Sequence, residues 1–293
     1  MPIELSGLAT LTAEDEQMAG LDALERHETG RASIATLVWV AAWPKVAAIS
    51  LALLLWQLVV WTGWKPDYAL PGPGRVFPQL ADLVVTADFW RAVATTMRRA
   101  SSGFLLSVVM GTLLGMAVAR SLHLRRAVGS LITGLQTMPS ITWFPLAIML
   151  FQLNEGAILF VVVLGATPSI ANGLIGGVDH IPPLLLRAGT VLGARGWSML
   201  RSVILPAALP GYLGGLKQGW AFAWRSLMAG ELLVIIGTTP SLGVRMDFAR
   251  QLSDVPLLVA YMIVILIIGI MVDTVFGLSE RRIRSRRGLL VER

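Results

Sequence analysis

The sequence predicts an all-α polytopic membrane protein with six transmembrane helices. Of its 293 residues, 55% are apolar and only 14% are charged, whereas about 25% of the residues in an ordinary soluble domain are charged. Several long stretches carry no charge and approach the roughly 20 residues that a helix needs to cross a bilayer. These stretches do not alternate apolar and polar residues as the strands of a membrane β-barrel would, so the spans are predicted to be helices.

The six spans follow from these stretches in chain order. The long apolar stretch that ends at Asn154 is interpreted as one span, because Asn154-Glu155-Gly156 predicts a turn before the next. The fifth span is interrupted by three charged residues, Lys217, Arg225 and Glu231. The predicted spans are 46–64, 102–119, 128–151, 157–178, 213–236 and 257–276.

The distribution of Lys and Arg predicts the orientation, because cytoplasmic segments of membrane proteins carry more of these residues. If the N-terminus is cytoplasmic, 15 of the 24 basic residues lie on the cytoplasmic side, 7 lie outside, and Lys217 and Arg225 lie within the fifth span. Both termini are therefore predicted to be cytoplasmic. The formal net charge of +6 is explained by this topology, and no nucleic-acid partner is expected.

Three segments are predicted along the chain: an N-terminal tail (1–45), a transmembrane domain (46–279) and a basic C-terminal tail (280–293). In the N-terminal tail, Thr12 and Asp15 fit a helix N-cap box, which predicts a short amphipathic helix. Residues 32–43 are expected to form an interfacial elbow that stops at Pro44. The acidic residues of this tail argue against a cleavable signal peptide, which would begin with basic residues.

The sequence lacks the motifs that indicate an enzyme. No H-E-x-x-H or G-x-S-x-G pattern is present, and the three His lie outside the predicted spans. A phosphate-binding P-loop needs a Gly-Lys-Ser/Thr sequence, but none of the three Lys follows a Gly. The absence of Cys excludes disulfides and Cys-type zinc sites. We expect no catalytic activity and no cofactor in this chain, so ATP, if it is used, binds another polypeptide.

The predicted cytoplasmic loop 179–212 is the most informative segment. Its 34 residues exceed the roughly 2–8 residues that usually connect helices in a bundle. The loop is amphipathic, with Gly193 as a break and Pro206 and Pro210 as stops, which predicts two short helices on the cytoplasmic face. Periodicity alone leaves open whether these helices bind a partner or only connect the spans.

This loop resembles the EAA loop of ABC importer permeases, whose pattern is E-A-A-x3-G-x9-I-x-L-P. With Gly193 as the loop glycine, Val203 takes the place of the Ile, and Leu205 and Pro206 fall in register. Ala188 matches the first Ala of the pattern. The two departures are Arg187 in place of the Glu and Gly189 in place of the second Ala.

The similarity extends beyond the loop, over residues 70–287. It is greatest to the permeases of the nitrate/sulfonate/taurine/bicarbonate importers, and among them to the aliphatic sulfonate permeases. The residues that carry it outside the loop are Pro139 and Pro145 in the third span, Gly215-Leu216 and Ala229-Gly230-Glu231 in the fifth, and Ser241-Leu242-Gly243 after it.

The resemblance implies a type I ABC importer permease fold in a bacterial cytoplasmic (inner) membrane. Two permease subunits, expected to be a homodimer, would form the pore, and an extracytoplasmic binding protein would deliver the substrate. Two ATP-binding cassette ATPase subunits would bind ATP and Mg²⁺ and would receive the short helix before Gly193. The residues to which the resemblance gives this ATPase-coupling role are Arg187, Ala188, Gly189, Leu192, Gly193, Ala194, Leu205 and Pro206.

Charged residues within a bilayer usually face a cavity or a partner. Arg225 lies in the middle of the fifth span, and Glu231 lies about 240° further around the helix, so the two do not share a face. The hypothesis is that Arg225 meets an anionic substrate while Glu231 pairs with another helix; a purely structural pairing is the open alternative. Asp273 in the sixth span is expected to pair with the basic cluster 281–284.

Polar residues and prolines in the third and fourth spans are candidate pore lining. A proline frees backbone carbonyls in the preceding turn, and such breaks persist in membranes where they line protein or water. Helix–helix packing is the alternative. The residues proposed for the translocation pathway are Gln136, Pro139, Ser140, Trp143, Pro168, Asn172, Arg225 and Glu231.

The function expected from these observations is that of a permease subunit for a small oxyanion. A sulfonate or taurine-like substrate is the first choice, and nitrate or bicarbonate follows. Two other classes stay open at this point, a secondary transporter that needs no ATPase and a membrane scaffold without transport activity. A secondary transporter would work without a partner, whereas an ABC permease would copurify with an ATP-binding chain.

Overall fold

The computed structural model describes residues 34–236 and 239–286. The N-terminal helix predicted around Thr12 and the last residues of the basic tail lie outside this part of the chain. Contacts divide the chain into two units, Met1–Trp64 and Lys65–Arg293, which are described separately. Every regular element of the described residues is helical.

The first unit contains helix α1, Ile34–Trp61. Its part Ala42–Trp61 is long and apolar enough to cross a membrane. The predicted elbow that stops at Pro44 is wrong, because Pro44 lies inside the helix. A proline removes one backbone hydrogen bond, which membrane helices tolerate when neighbouring groups satisfy the freed carbonyl.

Several helices of the second unit have a first-turn backbone N–H group that is satisfied by the side chain of the preceding residue. The hydroxyl of Thr86, the amide oxygen of Asn154 and the hydroxyl of Ser241 each accept such a bond, as helix N-caps do. The helices are α2 (Pro73–Val84), α3 (Ala87–Arg120), α4 (Leu122–Thr137), α5 (Phe144–Phe151), α6 (Glu155–Asp179), α7 (Pro183–Val191), α8 (Leu205–Leu233), α9 (Leu242–Gln251) and α10 (Val255–Arg286).

Five helices of the described residues are long and apolar enough to span a bilayer, and residues 140–151 form another, shorter apolar helix. The third predicted span, 128–151, is therefore not one helix. Helix α4 ends at Thr137, Met138 is extended, and a 3₁₀ turn at Ser140–Trp143 leads into α5. Pro139 explains the break, because a proline disfavours helical backbone at the residue before it.

Helix α6 is the centre of the second unit and packs against α3 and α8. Its contact with α8 is made by glycines: a Cβ added at Gly215 would lie 2.6 Å from the Cα of Gly173. On the other side of α6, a Cβ added at Gly111 of α3 would lie 2.9 Å from the carbonyl oxygen of Thr167. Small residues let membrane helices approach this closely, so the bundle is held by backbone-to-backbone packing.

The segment before α8 is continuous with it, so that Trp197–Leu233 forms one helical rod of 37 residues. A short turn at Trp197–Met199 passes into a π-helical turn at Leu200–Ile204 and then into α8. The prediction of a separate second helix stopped by Pro206 and Pro210 is wrong. Pro206 directly follows the π-helical turn, at the second residue of α8, and Pro210 lies inside α8.

Candidate translocation and coupling sites

A cavity of about 860 Å³ lies between α6 and α8, next to the end of α4. Its polar lining includes the side-chain amides of Gln136, Asn172 and Gln218, and we call it the amide cavity. The glycines of α6 and α8 form much of the remaining wall. These residues therefore surround the space with neutral hydrogen-bonding groups and exposed backbone.

Two of the predicted pathway residues are joined directly in this cavity. The Asn172 Nδ2 group donates to the Gln136 Oε1 atom over 2.8 Å, and the Gln136 Nε2 group donates to the Ser169 hydroxyl over 2.8 Å. Amides can donate to an oxyanion and accept from an ammonium or hydroxyl group. The arrangement can thus hydrogen-bond a passing polar solute without holding it by charge.

The other predicted residues of the third and fourth spans do not line the amide cavity. Pro139 and Ser140 lie in the break between α4 and α5, and Trp143 packs against the apolar core. Pro168 is buried within α6. The structure therefore brings Gln136 and Asn172 together and places the other four elsewhere.

Arg225 lies at a second cavity, of about 650 Å³, formed by α8, α9 and α10. We call it the indole cavity, because Trp220 and Trp224 line it together with Arg225 and Asp273. The two indoles are stacked with their ring centroids 6.2 Å apart. The Arg225 Cζ atom lies 5.1 Å from the centroid of the Phe222 ring, a cation–π contact.

Glu231 is fully buried and pairs with Arg99 of α3, with 3.1 Å between Oε1 and Nη1. The Thr96 hydroxyl donates to the same carboxylate over 2.9 Å, and the Gly243 backbone N–H donates to it over 3.0 Å. Three helices thus meet at one carboxylate. A buried carboxylate of this kind is tolerated only when paired and hydrogen-bonded.

Arg99 also reaches two further elements, and we call the set of Thr96, Arg99, Glu155, Glu231 and Thr239 the Arg99 network. The Arg99 Nη2 atom lies 3.2 Å from the Glu155 Oε1 atom of α6 and donates to the Thr239 hydroxyl over 2.9 Å. Arg99 is only 2% exposed. Glu231 therefore belongs to a clamp among α3, α6, α8 and α9, and not to either cavity.

The sequence analysis expected Glu231 to pair with another helix, but it missed Arg99 as the partner, because Arg98 and Arg99 were among the seven basic residues counted as lying outside the membrane. The structure instead places Arg99 inside helix α3, which begins at Ala87. A signal was present in the small or polar residues that recur every three or four positions along α3, a spacing that marks one helical face. The buried residues of this stripe include Thr96, Arg99, Ala100, Gly103, Ser107, Gly111 and Gly115.

Asp273 pairs with Lys217 of α8, with 3.4 Å between Oδ2 and Nζ. The prediction that Asp273 pairs with the basic cluster 281–284 is wrong. Residue 281 lies eight positions further along α10, about 12 Å along the helix axis, whereas the Lys217 side chain reaches across from the adjacent helix.

Helix α9 contains a second buried carboxylate, that of Asp247. Arg250 donates from Nε to its Oδ1 atom over 2.8 Å. This hydrogen bond holds the pKa of the Asp247 carboxyl below its usual range, although burial acts in the opposite direction. The carboxylate therefore stays charged near neutral pH, and it accepts hydrogen bonds from Arg250 and Gln251 in the last turn of α9.

The segment that resembles an EAA loop forms helix α7 and a tight turn. Gly193 has a φ of +83°, a left-handed backbone that favours glycine. Gly189 is buried, and a Cβ there would lie 2.9 Å from Val203 Cγ2 and 3.1 Å from Met199 Sδ. Helix α7 thus packs closely against the rod 197–233 at Gly189.

The remaining predicted coupling residues surround this contact. Arg187, Ala188 and Leu192 are exposed on or just after α7, and Leu192 is 87% exposed. Ala194 donates its backbone N–H to the Gly189 carbonyl over 2.9 Å, while Leu205 and Pro206 begin α8. Leu192 thus adds to the exposed apolar residues Leu184, Leu185 and Val191 of α7.

Comparison with known proteins reveals the family. Residues 103–285 match the model of the binding-protein-dependent transport system inner membrane component. A putative ABC transporter permease of Methanocaldococcus jannaschii is 30% identical, and the match covers 78% of this chain and 86% of that protein. The putative aliphatic sulfonates transport permease SsuC of Bacillus subtilis is 26% identical, with 80% of this chain and 84% of that protein covered.

The fold is also found in solved structures. A chain of a bacterial alginate ABC transporter, solved with an alginate pentasaccharide-bound periplasmic protein, matches with a TM-score of 0.56. The match has 15% identity and covers 86% of this chain and 96% of that chain. With the family match and the geometry above, the chain belongs to the binding-protein-dependent transport system inner membrane components, as an ABC importer permease of the sulfonate/taurine/nitrate family with a type I permease fold.

Proposed function

We propose that this chain is the membrane-spanning permease subunit of an ATP-driven importer for a small organic or inorganic oxyanion, with a sulfonate or taurine-like substrate as the first candidate and nitrate or bicarbonate as the second. The observation that carries the proposal is Arg225, a guanidinium in the middle of a span that forms no ion pair among the described residues. A charge within a bilayer is costly and faces a cavity or a partner. In a permease, a transported anion can be the partner that neutralises the Arg225 guanidinium.

The amide cavity supports passage of such a solute along the surface that α6 and α8 form together. Its amides supply hydrogen bonds in place of water, and its lining residues include no Lys, Arg, Asp or Glu. A pathway must bind its solute weakly enough to release it. We infer that Arg225 supplies the electrostatic attraction and that Gln136, Asn172 and Gln218 supply a neutral route.

Coupling to ATP is assigned to α7. Its exposed apolar residues offer a docking surface for an ATPase subunit, and Gly189 transmits a displacement of α7 to the rod 197–233. ATP-driven closure of two ATPase subunits would then switch the two permease copies between inward- and outward-facing states by rigid-body rotation. A binding protein would deliver the solute on the opposite side.

The orientation that places α7 in the cytoplasm, where ATP is available, also places both termini there. The excess of Lys and Arg on that side supports this topology. Protease added to intact spheroplasts should therefore spare both termini. Cleavage within residues 281–287 from outside would overturn the orientation.

The proposed function is tested by reconstitution. The chain is co-expressed with a candidate ATPase and a candidate solute receptor from the same genome, and uptake of radiolabelled butanesulfonate into proteoliposomes is measured with ATP. Uptake is expected only with ATP and all components, and an ATPase that binds but does not hydrolyse ATP should abolish it. Uptake by the chain alone would instead establish a secondary transporter and overturn the proposal.

A further inference from the structure

The charged residues of α8 differ in how they are paired. Lys217 is paired with Asp273, and Glu231 is paired with Arg99. Arg225 is the third charged residue of this part of α8, and it has no ion-pair partner among the described residues. Its contact with the face of the Phe222 ring offsets only part of the hydration that the guanidinium loses. The cavity is lined by one cation and one anion, Arg225 and Asp273. Because Asp273 is paired with Lys217, the Arg225 guanidinium is the charge at the cavity that an anion would neutralise.

The Trp220 side chain lines the same cavity. Trp220 is only 6% exposed and its ring is stacked on that of Trp224, with 6.2 Å between the ring centroids. The two indoles therefore give the cavity an aromatic wall next to Arg225.

The rest of the lining is apolar and adaptable. Met228, Met246 and Met262 come from three different helices, and Trp224 and Gly269 complete the wall. Methionine is flexible and polarisable, so it fits ligands of different shape. The cavity volume of about 650 Å³ lies within the range of about 300–1,000 Å³ that is usual for small-molecule sites. An inorganic anion such as nitrate would fill little of it and would leave the apolar wall unused.

Resting on the proposed function, we infer that the indole cavity is a substrate-binding site of the permease and that it selects organic monoanions with an apolar body. Arg225 binds the acid group, and the two indoles and the methionines pack against the body. Selection against small inorganic anions then occurs in the permease as well as in the solute receptor.

The test measures binding of radiolabelled benzenesulfonate by equilibrium dialysis to the full purified chain in phosphatidylcholine nanodiscs. Saturable binding is expected, with displacement by butanesulfonate and none by an equal concentration of nitrate. Arg225→Gln should weaken binding about ten- to a hundredfold, the loss of a hydrogen-bonded charge. Arg225→Lys should retain part of the affinity, and Arg126→Gln, an exposed arginine outside the cavity, should leave it unchanged.

A second variant tests the contact between the cavity and the apolar body of the ligand, and it leaves the charge of the protein unchanged. Ala221 lines the cavity, and Ala221→Leu should weaken binding of benzenesulfonate while leaving that of methanesulfonate the same. Equal displacement by nitrate and butanesulfonate, or equal affinity in Arg225→Gln and the parent, would overturn the inference.

An anionic lipid presents the same chemistry of a charged head and an apolar body. Benzenesulfonate binding should persist when phosphatidylglycerol is added to the nanodiscs. Complete competition by phosphatidylglycerol would assign the cavity to lipid and overturn the inference. ATP-dependent uptake that survives in Arg225→Gln would refute this site alone, whereas absence of uptake in the parent complex would refute the proposed function.

Discussion

Arg99 and Glu231 lie 132 positions apart in the chain and form a fully enclosed ion pair, with 3.1 Å between Nη1 and Oε1. The carboxylate also accepts from Thr96 and from the backbone of Gly243. Removal of one member of such a pair leaves the other charge buried without compensation, which costs about 3–5 kcal/mol. The stability of the bundle therefore depends on a pair that joins α3 to α8.

We expect Glu231→Gln to lower the free energy of unfolding by about 3–5 kcal/mol, because the Arg99 guanidinium would keep only Glu155 as a charged partner. The measurement is the unfolding equilibrium of the detergent-solubilised chain. Arg91→Gln is the control, since Arg91 forms an exposed pair with Asp88 and such pairs contribute about 0–1 kcal/mol. Equal stability of the two variants would contradict a clamping role for Glu231.

The adjacent glycines Gly214 and Gly215 predict opposite effects of one added methyl group. A Cβ at Gly215 would lie 2.6 Å from the Gly173 Cα atom, so Gly215→Ala should force α6 and α8 apart and destabilise the fold. A Cβ at Gly214 would meet nothing within 4 Å, and Gly214→Ala should stabilise the helix by up to about 1 kcal/mol. Thermal unfolding of the two variants under identical conditions checks this, and the same sign for both would show that the close approach is not tight.

At the turn after α7, the backbone conformation of Gly193 predicts which residues can replace it. Its φ of +83° is adopted by Asn more readily than by a β-branched residue, and a Cβ there would touch nothing. Gly193→Val should therefore distort the coupling turn and reduce copurification of the ATPase, together with ATP-dependent uptake. Gly193→Asn should retain both, and identical behaviour of the two variants would rule out a conformational role.

A charge placed in the amide cavity should interfere with an anion. Gln136→Glu keeps the side-chain shape but replaces a donor to Ser169 with a carboxylate, and we expect uptake of butanesulfonate to fall about tenfold, equivalent to about 1.4 kcal/mol. Thr137→Val is the control, because the Thr137 hydroxyl donates only to the Gly134 carbonyl of its own helix. Unchanged uptake in Gln136→Glu would remove Gln136 from the pathway.

Much of the fold could be predicted because bilayer-spanning helices follow from local composition alone. The coupling segment was recognised for a similar reason, since the spacing from Arg187 to Pro206 is a property of consecutive residues. The break at Met138–Pro139 was predictable from proline chemistry, but the uncharged composition around it favoured one long helix. Composition thus indicated which segments are apolar enough to cross the membrane, but it did not indicate where a helix breaks within such a segment.

The pairing of charges could not be predicted in the same way. The stripe of small or polar residues on α3 includes Arg99 and not its neighbour Arg98, but no local property of the sequence indicates that the partners of Arg99 are Glu155 and Glu231. Likewise Asp273 had basic residues nearby on its own helix, and its actual partner, Lys217, is brought near only by the packing of α8 against α10. Such partners depend on which helix faces are in contact, which is decided by the whole bundle.

The π-helical turn at Leu200–Ile204 lies between Met199, which contacts Gly189 of α7, and the helix α8 that carries Arg225. Each residue inserted or removed in an α-helical rod rotates everything beyond it by about 100° and shifts it by about 1.5 Å. If the extra residue of this turn were deleted, Trp220, Trp224 and Arg225 would rotate together, because they belong to one helix, and all three would turn relative to Met199 and α7. An insertion or deletion in this turn would therefore change the alignment of α7 with the indole cavity without changing any residue that lines the cavity.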